Sequence, residues 1–126
     1  MNKLIDSDIF IDFLRGYQGA IDFFLDLWNG EDEIYSSVIT EAELLSGKSC
    51  NNPEVRTKTE DIINTTIKVN VNSNIAKRAG KYRRMYDISL SDALIASTAK
   101  EIGAKLYTRN VKHLKKIEDI EVVVPY

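Results

Sequence analysis

The sequence predicts an α/β protein, a three-layer α/β/α domain around a mostly parallel central sheet of four to five strands, with residues 1–126 forming a single domain. Three observations carry this reading. Short runs rich in Ile, Val, Leu and Tyr recur along the chain, at Lys3–Asp6, Glu33–Ser36, Ile67–Val71, Ala104–Thr108 and Glu121–Val124. Between them lie segments whose apolar residues return at helical spacing, and strands alternating with helices imply parallel pairing with helices on the faces of the sheet. The 126 residues, 44% of them apolar, are enough for one buried core, and the chain shows no repeat, linker or low-complexity stretch to divide it.

Each element has a local warrant. Lys3-Leu4-Ile5-Asp6 is a short strand that opens directly into a helix through Ile9, Phe10, Phe13 and Leu14, stopped at Gly16. A second helix follows from Tyr17 to Trp28. Glu33–Ser36 is the second strand, and a helix with Val38, Ala42 and Leu45 on one face runs to Gly47. Asn51-Asn52-Pro53 marks a loop and the start of the next helix. Ile67–Val71 alternates as a strand does, and Asn72 or Ser73 caps a helix with Ile75, Ala79, Tyr82 and Tyr86 on one stripe and Lys77, Lys81 and Arg84 on another. Ser91–Ile102 is a helix of small and apolar residues, suited to lying close against a sheet, and Gly103 ends it. The last two strands flank a short helix at Val111–Lys116.

Composition narrows the function. Seventeen basic and nineteen acidic residues give a net charge of −2, so no overall positive field draws in a polyanion, and any nucleic-acid contact has to be local or metal-mediated. Cys50 is the only cysteine, which excludes an internal disulfide and suits a reducing cytoplasm; packing or a solvated loop is its expected place. The first residues lack the regions of a signal peptide. The most apolar stretch, Ile21–Trp28, is interrupted by Asp22 and Asp26 and is too short to span a bilayer. A cytoplasmic protein without a membrane anchor is expected.

The informative residues are acids far apart in the chain. Asp6 ends the first strand, Glu43 lies in the helix after the second, Asp92 begins the long late helix, and Asn110 follows the fourth strand. Open sheets of this class bind ligands outside the carboxyl ends of their strands, so all four can meet in one cleft. Gathered carboxylates repel one another and are costly to desolvate unless a cation or a shared proton compensates them. Each also has a plainer explanation. Thr40-Glu41-Ala42-Glu43 and Ser89-Leu90-Ser91-Asp92 have capping-box spacing, and Asp6 or Asp8 can cap the first helix. Glu41, two residues from Glu43, points about 160° away on a helix and is expected in solvent.

Four segments in order carry a resemblance: Leu4-Ile5-Asp6-Ser7-Asp8-Ile9-Phe10-Ile11, Ser37-Val38-Ile39-Thr40-Glu41-Ala42-Glu43-Leu44-Leu45-Ser46-Gly47, Leu90-Ser91-Asp92-Ala93-Leu94-Ile95-Ala96 and Leu106-Tyr107-Thr108-Arg109-Asn110-Val111-Lys112-His113-Leu114. Over essentially the whole chain they resemble the motifs of PIN-domain ribonucleases, most closely the VapC-type toxins of toxin–antitoxin pairs. The resemblance implies that Asp6, Glu43 and Asp92 hold Mg2+ or Mn2+ and that an activated water hydrolyses RNA phosphodiester bonds, with no nucleophilic side chain. His113, the only histidine, has no triad partner and fits that scheme.

Asn110 departs from the aspartate that many relatives carry in the last motif; it either orients a metal-bound water or fixes the turn after the fourth strand. One firmly held ion is expected, with a second supplied partly by substrate phosphates. Asp8 stands where relatives often have asparagine and is expected to cap the first helix, with a part in the site as the alternative. Thr108 either bonds within the site floor or is an ordinary strand threonine. The resemblance further implies an RNA substrate, a VapB-type antitoxin seated on the early helices, a homodimer and a toxin–antitoxin hetero-oligomer. Bulky residues beyond the needs of one buried stripe, among Phe23, Phe24, Leu27 and Trp28, supply the interface. Arg109 and Lys112 at the cleft rim, and Lys77 and Lys81 on a basic helix that also bears Arg78, Arg83 and Arg84, are candidates for backbone phosphates.

Two other α/β classes fit less well. Asp6-Ser7-Asp8 also resembles the opening of haloacid-dehalogenase-type phosphatases, but no paired acidic segment follows a later strand. A receiver domain needs an aspartate where the third strand ends in Asn70-Val71-Asn72. The rival from a different class is a PIN-like binding module whose catalysis is weakened by Asn110.

Overall fold

A computed structural model describes residues 2–126; Met1, where the reading for a signal peptide began, lies outside them. The chain runs β1 (Asn2–Ile5), α1 (Ser7–Leu14), α2 (Gln18–Asn29), β2 (Glu33–Ser37), α3 (Val38–Leu45), a 3-10 turn (Lys48–Asn51), α4 (Pro53–Ile63), β3 (Ile67–Val69), α5 (Ser73–Tyr86), α6 (Leu90–Ile102), β4 (Lys105–Tyr107), α7 (Val111–Leu114) and β5 (Val122–Val123). The five strands form one sheet in the order β3-β2-β1-β4-β5, every pair parallel. The expectation of a mostly parallel sheet is met by a wholly parallel one.

Alternation along the strands divides the core into two layers. Leu4 and Leu106 face a cluster with Ala79 and Tyr82 of α5, Ala93, Ile95, Ala96 and Ala99 of α6, and Leu114. Ile5, with Ile34 and Tyr107, faces Ile9 and Phe10 of α1, Phe24 and Leu27 of α2, Leu44 of α3, and Ile62 and Ile63 of α4. Both faces are covered, as a parallel sheet requires, and the small residues of α6 allow it to lie close. α5 and α6 form an antiparallel pair joined through Asp87, which is left-handed at φ 51°.

The edge strands are shorter than the alternation predicts. β3 ends at Val69 because its partner β2 ends at Ser37, where the chain turns at once into α3, so residues 70 and 71 have nothing to pair with. β5 pairs only Val122 and Val123, with Leu106 and Tyr107. The apolar face expected for α3 is also corrected. Thr40 and Leu44 are its buried residues, while Ala42 is exposed, because the helix turns the Thr40–Leu44 side toward the core it shares with α1 and α4. Cys50 is buried, its thiol directed at the Leu44 carbonyl 3.5 Å away, so its role is packing. Among the described residues no helix is long and apolar enough to cross a membrane.

This topology marks where sheets of this class bind ligands. From β1 the chain proceeds to β2 and β3 on one side and later to β4 and β5 on the other, so the carboxyl ends of β1 and β4 flank the point where the strand order reverses.

Candidate active site

Asp6 is the first residue beyond β1. Its backbone N–H donates to the Tyr107 carbonyl (3.0 Å), which carries the β1–β4 pairing one step further, and its extended backbone makes it the N-cap of α1. One carboxyl oxygen accepts from the Ser7 N–H (2.7 Å) and the other from the Thr108 hydroxyl (2.8 Å). Thr108, fully buried, is itself anchored to the edge of the sheet through its N–H on the Val123 carbonyl (3.0 Å), and its hydroxyl oxygen accepts from the Asn110 N–H (2.9 Å). The threonine therefore belongs to the site floor, the first of the two readings its sequence allows.

The other acids reach the same floor from separate elements. Asp92, in the first turn of α6, accepts from the side-chain amide of Asn110 at 3.3 Å. Glu43, from α3, accepts the Ser7 hydroxyl at 2.7 Å, so it touches the Asp6 segment through Ser7 rather than directly. Asp8 accepts the Arg109 N–H (2.9 Å), with the Thr108 hydroxyl farther off at 3.4 Å, and its second oxygen is buried with no hydrogen-bond partner among the described residues.

Several capping expectations change as a result. Asp6 caps α1, and Asp8 instead ties the 108–110 loop to that helix. Glu43 does not close a capping box, because α3 begins earlier, with Ser37 as its N-cap accepting from Ile39 N–H at 3.0 Å. Ser89 caps α6 by accepting the Asp92 N–H (3.0 Å), while the Asp92 carboxylate is turned to Asn110, so only half of the expected box is used. Glu41 pairs with Lys68 of β3, away from the crevice.

Burial pushes the Asp6 carboxyl up to about 7, with the neighbouring charges of Asp8 and, less strongly, Asp92 acting in the same direction against the bonds from Thr108 and Ser7. Asp8 is raised too, again mainly by burial. A site that holds a carboxyl half-protonated at neutral pH is short of positive charge. Its donors are all oxygens, the set that Mg2+ and Mn2+ prefer, and the unpartnered Asp8 oxygen is one more free acceptor. Among the described residues no three Asp, Glu, His or Cys side chains are grouped closely enough to form a cage. Mg2+ keeps several waters and takes one or two carboxylates, so the oxygen donors present, the buried Asp6 and the unpartnered Asp8 oxygen among them, fit such an ion.

The basic candidates separate. Lys112 is exposed on α7, beside the crevice. Arg109 flanks it through its backbone, but its guanidinium faces the other way, 3.7 Å from Asp12 and over the rings of Tyr126 (4.8 Å) and Tyr17 (5.5 Å). Lys77 and Lys81 are exposed on α5. Lys77 adjoins Arg78, which is pinned to Ser97 and Glu101, roughly 7 and 13 Å along the α6 axis from Asp92, so Lys81, a turn closer to the α5–α6 connection, is the nearer of the two. Sequence reasoning missed Ser7 as the link to Glu43, although it lies between the two quoted aspartates. It also missed Asp12, Tyr17 and Tyr126, whose meeting across more than a hundred positions leaves no local signal.

Against known proteins, the model of the PIN domain matches residues 3–120. The chain belongs to the PIN-domain family. Ribonuclease VapC19 of Mycobacterium tuberculosis is 33% identical to this PIN domain over 124 residues, covering 94% of this chain and 97% of the relative. Ribonuclease VapC10 of the same organism is 34% identical over 125 residues, covering 94% and 90%. Among solved structures, a toxin–antitoxin complex from Klebsiella pneumoniae superposes with a TM-score of 0.80 at 31% identity, over 98% of both chains. VapBC2 from Rickettsia felis, at 22% identity and a TM-score of 0.84, shares the fold over 98% of both chains. The PIN fold expected from the four motifs is the fold observed.

Proposed function

We propose that this PIN domain is a metal-dependent endoribonuclease, the toxin of a toxin–antitoxin pair, held inactive by a cognate VapB-type antitoxin. The observation that carries the reading is the buried Asp6 at the β1–β4 switch point, fixed by Thr108 and Ser7 and pressed by the charges of Asp8 and Asp92. The ribonuclease names of the similar VapC proteins support the substrate class. A bound Mg2+ or Mn2+ supplies Lewis acidity toward a phosphate oxygen and lowers the pKa of a water.

In this scheme Asp6, Asp92 and Glu43 would hold the ion. Asn110 would orient Asp92 through its amide, leaving its carbonyl as an acceptor for a water, while Thr108 and Ser7 would keep Asp6 and Glu43 from swinging away. Lys112, with Lys81 and Lys77 farther out, offsets the repulsion between an acidic crevice and the RNA backbone. For the antitoxin, two adjoining grooves cross the early helices. One, about 600 Å³, runs from Glu43 past Leu44, Ile11 and Leu14; the other, about 500 Å³, continues past Leu14, Phe13 and Trp28. Apolar walls leading to a catalytic acid suit an amphipathic helix whose end reaches the site.

The catalytically weak binding module stays in contention through one observation, that among the described residues no three acids stand ready to act as ligands together. Incubating a total-RNA pool with Mg2+, Mn2+ or chelator separates the two. Metal-dependent cutting by the antitoxin-free wild type, reduced more than about a hundredfold in Asp6→Asn and in Asp92→Asn, is expected. A folded wild type that neither cuts RNA nor gains stability from either metal would make it a binding module.

A further inference from the structure

The 108–110 loop touches three acids at once: Asp6 through the Thr108 hydroxyl, Asp8 through the Arg109 N–H and Asp92 through the Asn110 amide. It carries no regular structure between β4 and α7, and only Thr108 is tied to the sheet, through its N–H on the Val123 carbonyl. On its outer side the Arg109 guanidinium lies over the rings of Tyr126 and Tyr17 and 3.7 Å from Asp12. Asp12 in turn accepts the Tyr126 hydroxyl at 2.7 Å, and the two tyrosine rings pack together with centroids 5.5 Å apart. The backbone makes room for them. A Cβ on Gly19 would meet ring atoms of both Tyr126 and Tyr17 at 2.9 Å, so only glycine lets the first turn of α2 pass this close.

From this geometry we infer that Asp12, Tyr17, Arg109 and Tyr126 form a clamp that sets the position of the 108–110 loop beneath the acidic crevice, and that Arg109 and Tyr126 are positioning residues rather than contacts to RNA. The guanidinium, on a side chain 41% exposed, is engaged by two rings and a carboxylate of the protein itself before any phosphate approaches. The part the clamp plays in catalysis rests on the metal-site reading above; its part in ordering the loop does not.

The test compares wild type with Tyr126→Ala, Tyr126→Phe and Arg109→Met in two measurements. Amide hydrogen exchange, on metal-free protein, is expected to show the Arg109 and Asn110 N–H groups exchanging faster in Tyr126→Ala and Arg109→Met, with Tyr126→Phe in between and the amides of β1 unchanged. Mn2+ binding, read by electron paramagnetic resonance without RNA, is expected to weaken about tenfold in the first two variants, the size usual for groups that orient ligands. In cleavage assays the same two lower kcat and leave the KM for RNA near that of wild type. Unaltered loop exchange in both variants would overturn the clamp whatever the metal does. Unaltered Mn2+ binding in Arg109→Met together with a raised, salt-dependent KM would make Arg109 an RNA contact. A wild type that binds no Mn2+ counts against the metal site, and the exchange measurement still decides the clamp.

Discussion

Asp6 shows how a single carboxyl can be costly to the fold and useful to the site. Its proton is held more tightly in the folded protein than in the unfolded chain, where the ordinary value is 3.8, because burial and the charges of Asp8 and Asp92 disfavour the anion. The stability it contributes is fully present below pH 3.8 and is lost as pH rises toward about 7, on the order of 4 kcal/mol across that window. Metal-free protein should therefore melt lower at pH 8 than at pH 5 on this account, and Asp6→Asn, which removes the ionisation, should melt several degrees higher than wild type at pH 8 in chelator. Thermal melts on both proteins check the sign. Mn2+ should reverse the order by stabilising only the wild type, with an affinity that falls about tenfold for each pH unit below 7 as proton and metal compete. That Asp6 closes the first strand was legible in the sequence, as was a site-floor bond for Thr108 as one of two readings; that Ser7 and Thr108 each take one of its carboxyl oxygens was not, because those bonds depend on rotamers and on a partner 102 positions away.

Helix ends were the most readable elements, since capping is written in adjacent residues. Asn72 caps α5 by accepting the Ile75 N–H (2.8 Å), Asn52 and Pro53 start α4, and Gly103, left-handed at φ 63°, ends α6. The same grammar misled at Thr40 and Glu43, where the true cap, Ser37, sits directly at the end of β2 without a loop between. Capping at Ser89 has a consequence for the site, because it fixes the turn that presents Asp92 to Asn110. Ser89→Ala should cost about 1 kcal/mol in chemical denaturation. It should also lower RNA cleavage, whereas Ser37→Ala at the other cap should lower stability with a smaller effect on Asp92. Strand lengths were less legible, since β3 and β5 are limited by how far their partners extend rather than by their own alternation.

At the scale of the molecule, the sequence carried the layers and the parallel order because each strand–helix repeat is local, and the order of strands in the sheet then brings Asp6, Thr108 and Asp92 to one edge. The surface was less legible. Of the bulky residues in α2, Phe24 and Leu27 are buried, Phe23 is partly buried, and Trp28 remains 39% exposed beside Leu14 at 37%. A second exposed pair, Met85 and Leu90 at 60% and 50%, flanks the α5–α6 connection. Leu25, Ile67 and Val124 are exposed as well, so exposure by itself does not single out one face for a partner. Sedimentation velocity should find a homodimer at micromolar concentrations. Leu90→Glu should shift it toward monomer while Trp28→Glu leaves the dimer intact and weakens antitoxin binding; a wild type that sediments as a monomer throughout would remove the dimer.

The distance along the chain between Asp6 and Thr108 also governs the order in which the crevice can assemble. The hydroxyl that orients the acid is synthesised 102 positions after it, followed by Asn110 and the Tyr126 ring. Closing so long a loop is slow and yields nothing until both ends are present. A nascent chain stalled before β4 carries Asp6, Glu43 and Asp92 without the Thr108 hydroxyl and the Asn110 amide that Asp6 and Asp92 accept from in the folded protein.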